Sequence, residues 1–218
     1  MAITRDEVVQ TAVRLLDDVG LEGLTLRRLA CELGVSAPTL YWHVRDKRAL
    51  LDLVAEAIVA EHRPPVRPAP GQPWWEWLAE SAAAQYRALV SHRDAALVAA
   101  GNRPTESSLP TVEQVVGSLV DVGFPPAEAL ESILTVGNFV LGSALEYQAE
   151  AARGATTEAD AAMAVRIRDA EDLPNLVAAS RARPALDPDS TFRHGLALIM
   201  TGLRARHAEL THSHAARA

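Results

Sequence analysis

A single cysteine, Cys31, in 218 residues leaves no partner for an internal disulfide and fits a reducing, cytoplasmic setting. No hydrophobic run approaches the roughly 18 residues that a membrane span requires. The longest charge-free candidate, 132–145, is too short and is interrupted by Thr135, Asn138 and Ser143. The N-terminus passes directly into a charged amphipathic segment, so no secretory leader is expected. There is no nucleophile elbow, phosphate loop, HExxH or Cys/His metal spacing, and no internal repeat. His212 and His214 form an H-x-H pair close to the C-terminus, and His92, His194 and His207 are scattered. They read as solvated or core histidines. No enzyme, metal site or cofactor is expected.

Positive charge is also short. The net charge is −7, which excludes a uniformly basic surface but not a local one. Up to Arg63 there are 8 basic and 10 acidic residues; the remainder holds 13 and 18. The acidic excess thus lies mostly away from the N-terminal segment, whose basic residues gather around one stretch.

That stretch is 24–51, LTLRRLACELGVSAPTLYWHVRDKRALL. Thr25 is placed to cap a helix whose apolar stripe is Leu26, Leu29, Ala30 and Leu33. Gly34 can close it in a left-handed conformation, Ser36 can cap the next helix, and Pro38 is tolerated in a first turn. This second helix, expected over 37–44, sets Leu40 and Val44 inward and spends Thr39, Tyr41, Trp42 and His43 on its other faces. Exposed aromatics beside Arg27, Arg28, Arg45, Lys47 and Arg48 suit a helix-turn-helix docking in a DNA major groove. The spacing alone also allows a plain three-helix subdomain with a decorated surface.

The chain is Ala-rich, 49% hydrophobic and poor in β-branched alternation, so the expected class is all-α, with about nine to ten helices. Thr4 and Glu7 form a capping box for a first helix that Gly20 ends, and Asp46 can cap a fourth running to about His62. Residues 63–73, RPPVRPAPGQP, hold five prolines and cannot be helical. They divide a DNA-binding domain, 1–63, from a ligand-binding and dimerisation domain, 74–211. In the latter, helices are expected over 74–91, 94–100, 108–122 with Gly123 as C-cap, from Pro125-Pro126 onward, 173–181 and 191–209. Gly137, Gly142 and Ala144 would permit close helix approach. Residues 151–172 have weak periodicity, a loop or a poor helix, and the tail after Leu210 is expected to be disordered.

PTLYWHVRDKRALLD at 38–52 resembles the tetracycline-repressor (TetR) family. The likeness continues through Tyr86-Arg87-Ala88-Leu89, His92-Arg93-Asp94, Gly101-Asn102-Arg103-Pro104, Thr111-Val112-Glu113, Gly123-Phe124 and Phe139-Val140-Leu141-Gly142. It implies a homodimeric regulator that binds a palindromic double-stranded operator and is released by a small molecule. Carried over, Arg27 reaches a guanine edge and Pro38 packs on thymine methyls. Thr39, Tyr41, His43 and Lys47 hold phosphates, and Trp42 bridges backbone and base. Ala37 stands where tetracycline-responsive members have a longer, base-reading amide, so the operator is expected to differ.

The resemblance places the effector contacts at Arg63, Ser81, Gln85, Asn102, Arg103, Val115, Ile133, Leu134, Asn138 and Glu146. Their mixture suits an apolar ligand with one or two hydrogen-bonding or anionic groups. Ala99 replaces the histidine that ligates drug-bound magnesium, and Arg63, Ser81, Gln85 and Val115 replace four other drug contacts. Glu146 alone matches the magnesium-site carboxylate. Tetracycline–Mg²⁺ is therefore not the expected effector. The alternative is a DNA-binding regulator with a vestigial pocket, controlled by protein partners or concentration.

Overall fold

Local signals set the first four helices. In the computed structural model, which describes residues 3–154, 158–182 and 187–215, helix α1 is Arg5–Gly23. The Glu7 amide donates to Thr4 Oγ1 at 3.2 Å while the Glu7 carboxylate accepts from the Thr4 amide at 2.7 Å, the reciprocal capping box. Gly20, at φ 71° and ψ 176°, breaks the helical geometry before a last short turn. Thr25 caps α2, Leu26–Glu32, and Gly34 closes it at φ 65°. Ser36 caps α3, Ala37–Tyr41, and Asp46 caps α4, Lys47–Ala60.

Helix α3 is three residues shorter than expected. After Tyr41 the ladder tightens: the amides of Trp42 and His43 donate three residues back, to Thr39 and Leu40. Residues 42–44 therefore form a turn. Val44 is still buried beside Leu40, so the inward pair stands.

Seven further helices follow: α5 (Trp74–Ser91), α6 (Ala95–Ala99), α7 (Leu109–Val120), α8 (Pro126–Arg153), α9 (Glu158–Arg168), α10 (Pro174–Ala182) and α11 (Pro188–Ala215). Eleven helices among the described residues exceed the nine to ten expected, and none is long and apolar enough to cross a membrane. The extra one, α9, is exposed nearly all round, so it lacks the apolar stripe that periodicity detects. Glu158 and Asp160 in its first turn and Arg166 and Arg168 in its last oppose the helix dipole instead. Residues 155–157 of the weakly periodic piece lie outside the described residues. The tail also departs from expectation: α11 continues past Leu210 to Ala215, and 216–218 lie outside the described residues.

The core is continuous from α1–α4 into α5, α6 and α8. Its C-terminal part is stapled by rings: Tyr86 stacks on Phe192 at 4.0 Å, and Phe192 on Phe139 at 5.5 Å. Gly195 supplies the close helix approach there, since a Cβ on it would sit 2.6 Å from Phe139. Gly137 and Gly142 do not; a Cβ on either meets nothing within 4 Å. The proline-rich connector is part of the packing. Trp77 Nε1 donates to the Pro65 carbonyl at 2.8 Å, and Arg67 pairs with Asp121 at 2.8 Å.

Candidate nucleic-acid interface and ligand cavity

Helices α2 and α3 present one polar and aromatic surface. Leu29, Ala30, Leu40 and Val44 are buried, which turns Arg27, Ala37, Pro38, Thr39, Tyr41 and Trp42 outward. Trp42 is 88% exposed and Tyr41 55%, apolar ring surface left in water that a partner would bury favourably. His43 and Lys47 are half-buried. Lys47 is already engaged, its ammonium donating to the Leu21 carbonyl at 3.0 Å. Thr39 Oγ1 lies 2.8 Å from Ser36 Oγ.

This head is tied to the rest by a polar junction between distant stretches of chain. His92, at the end of α5, sets Nδ1 2.9 Å from Asp17 and Nε2 2.8 Å from Glu61. Two carboxylate acceptors require both ring nitrogens to donate, so the imidazolium is the form that fits. Burial works against that charge most strongly, but the bonds and charges of Glu61 and Asp17 outweigh it and raise the pKa. Asp17 also accepts from the Arg93 amide at 3.0 Å. Asp94, in a left-handed conformation at φ 57°, accepts from the Leu21 amide at 2.8 Å. Arg48 donates to the Gly101 carbonyl.

Below the junction, α4, α5, α7, α8 and the connector enclose two adjoining chambers of about 320 and 310 Å³. Val59, Arg63, Gln85, Thr111, Val112 and Gly137 line both. Of the residues expected to contact an effector, Ser81, Val115, Ile133, Leu134 and Asn138 line the first chamber and Asn102 the second. Arg103 and Glu146 line neither, and both are exposed. Glu146 stands nine residues beyond Gly137, two and a half turns, which puts it on the opposite face of α8. Gly137, Thr111 and Val59 are not among the effector contacts expected from sequence. A glycine contributes space, which carries no chemical signal.

Polar groups in the chambers are few. The only carboxylate among the lining residues, Glu56, accepts from the Thr105 amide at 2.7 Å and the Thr105 hydroxyl at 2.8 Å. Asn102 Oδ1 is buried without a hydrogen-bond partner. No group of three His, Cys, Asp or Glu side chains able to hold a metal occurs among the described residues. In the H-x-H pair, His212 Nδ1 lies 2.5 Å from the Ala208 carbonyl, a contact within its own helix; the side chain of His214 lies outside the described residues.

Two family models cover this architecture. Residues 8–54 match the bacterial regulatory proteins of the tetR family, and 67–207 match the tetracyclin repressor-like C-terminal domain. The chain belongs to the TetR family. It is 38% identical over 205 residues to the class D tetracycline repressor of Escherichia coli, covering 94% of this chain and 90% of that one. A minocycline-bound TetR variant from Acinetobacter baumannii AYE superposes with a TM-score of 0.74 at 34% identity, covering 94% and 98% of the two chains. The actinorhodin-bound TetR family protein ActR of Streptomyces coelicolor gives 0.80 at 31% identity, over 95% and 99%. These relatives are transcriptional regulators, and membership makes this chain a ligand-responsive DNA-binding regulator of the TetR type. Ala99 lines the second chamber, and each oxygen of its one carboxylate, Glu56, accepts one bond from Thr105.

Proposed function

We propose that this protein is a cytoplasmic, homodimeric repressor that binds a palindromic operator and is released by a small molecule other than tetracycline–Mg²⁺. The observation that carries this reading is the span of α4. Its first turn follows the exposed α3 turn, and its end supplies Val59, with Arg63 three residues beyond it, to both chambers. Fourteen residues make about 21 Å of rigid rod between reading head and cavity. A ligand that fits the cavity only when α4 is tilted shifts the population toward a state whose two heads are misspaced for DNA.

In this reading Arg27 makes the bidentate guanine contact, and Ala37 and Pro38 meet thymine methyls. Thr39, Tyr41, His43 and Lys47 fix the phosphates, and Trp42 reaches both backbone and base. Lys47 exchanges its Leu21 carbonyl for a phosphate, or serves both. The effector contacts are Arg63, Ser81, Gln85, Asn102, Val115, Ile133, Leu134 and Asn138, to which Gly137 and Thr111 are added. Two copies join through α8 and α11, where Leu130, Leu134 and Leu198 are exposed at 42%, 54% and 60%. Regulation needs no catalysis, and no cofactor or catalytic residue is assigned.

Selection of bound DNA from a random pool tests the proposal. An enriched palindrome bound by two chains supports it; no enriched sequence, or an asymmetric site bound by one chain, defeats it.

A further inference from the structure

The cavity wall holds one cation, Arg63, and one carboxylate, Glu56, and the two form no ion pair. Arg63 lies where the two chambers meet, and its guanidinium makes no ion pair or side-chain hydrogen bond among the described residues. Three other arginines, by comparison, are engaged: Arg67 on Asp121, Arg206 on Glu128 and Arg204 over the ring of Trp75. The first chamber has no carboxylate in its wall, and the second has only Glu56, both of whose oxygens are taken by Thr105. The remaining wall is mostly apolar, with neutral amides and hydroxyls at Ser81, Gln85, Thr111 and Asn138.

Charge decides which ligands this arrangement accepts. Arg63 is exposed to water. A ligand filling the junction strips that water away. A neutral ligand leaves the guanidinium poorly solvated, a cationic one adds repulsion, and an anionic one replaces water with a charge-assisted, bidentate pair.

We infer that the effector is a largely apolar organic anion, free of metal, whose negative group is held by Arg63 at the junction of the two chambers. This rests on the reading of the cavity as the effector site. It separates the protein chemically from members that bind a metal chelate, because guanidinium replaces magnesium as the positive charge that recognises ligand oxygen.

Two dyes with the same rings test the inference in the full-length protein. Anilinonaphthalene sulfonate carries a sulfonate; phenylnaphthylamine lacks it. Arg63→Gln should weaken sulfonate binding about tenfold, the effect of losing a charge-assisted hydrogen bond. The neutral dye should bind it within about twofold of the parent. Gly137→Leu, which adds a side chain into open space shared by both chambers, should displace both dyes. Displacement of the neutral dye by Gly137→Leu, with sulfonate binding indifferent to Arg63→Gln, overturns the anion inference alone. Equal weakening of both dyes by Arg63→Gln overturns it too. Unchanged binding of both dyes to Gly137→Leu removes the cavity as a ligand site, and the proposed function falls with the inference. Circular dichroism and the melting temperature confirm that each variant is folded; Arg63 has no partner to lose.

Discussion

Replacing glycine by alanine is one chemical change, and this structure assigns it opposite signs at two positions. At Gly20 the backbone stands at φ 71° and ψ 176°, a region that is essentially closed to side-chain-bearing residues and costs about 1–3 kcal/mol. A Cβ there would also lie 2.7 Å from Asp94 Oδ2, the oxygen that accepts the Leu21 amide, and 3.0 Å from Arg93 Nε. Relieving that contact breaks a part-buried hydrogen bond worth about 1 kcal/mol. Gly20→Ala should therefore lose about 2–4 kcal/mol. At a scale of about 2–4 °C per kcal/mol for a chain of this size, the melting temperature falls by roughly 4–16 °C. At Gly137 the conformation is helical and a Cβ meets nothing within 4 Å. Gly137→Ala should gain about 0.8–1 kcal/mol of helix propensity, a rise of roughly 2–4 °C. Calorimetric melting of the two variants beside the parent protein measures both. The same sign for both, or a Gly20→Ala protein as stable as the parent, would refute the reasoning from φ and free space.

Four further outcomes follow from the same contacts. His92 has a raised pKa, so its bridge stabilises the fold fully below pH about 6.5 and the contribution is lost as pH rises through the raised value. His92→Gln should abolish that alkaline loss of melting temperature; a parallel fall in both proteins would contradict the bridge. Tyr41→Phe should weaken binding to every DNA sequence alike with the salt slope kept, since no charge is removed, whereas Arg27→Ala should relax one base position at about 1–3 kcal/mol, both read by anisotropy titrations against operator variants. Leu198→Glu should give monomers by light scattering, with loss of operator binding. Leu198 suits this test because its side chain on α11 is 60% exposed and lines neither chamber.

What was legible in the sequence was local. Thr4 with Glu7, Thr25, Ser36 and Asp46 each cap within three residues, so their spacing alone announces the helix starts, and all four accept the expected bond. The exposed aromatic turn was legible because Leu40 and Val44 fix which face is left over. Contacts between distant residues were not. The His92 bridge joins positions 75 and 31 residues apart, and no spacing rule connects them. The proline-rich connector read as a boundary because proline ends helices, yet Pro64, Pro65 and Val66 form a wall of the first chamber. Residues 151–172 read as a loop or a poor helix for the opposite reason: α9 carries charges at its ends but no buried stripe among its described residues, so hydrophobic periodicity has nothing to detect. The cavity was reached through resemblance, which found Arg63, Ser81, Gln85, Asn102, Val115, Ile133, Leu134 and Asn138. It also supplied Arg103 and Glu146, which the structure leaves outside.

The central claim is that a ligand of this cavity, and not tetracycline–Mg²⁺, releases the protein from its operator. The direct measurement is titration of the preformed operator complex, followed by anisotropy, with tetracycline plus Mg²⁺ and with organic anions that raise the melting temperature of the parent but not of Gly137→Leu. The account predicts an intact complex at large excess of tetracycline–Mg²⁺ and release by at least one such anion. Release by tetracycline–Mg²⁺ at near-stoichiometric concentration would contradict it.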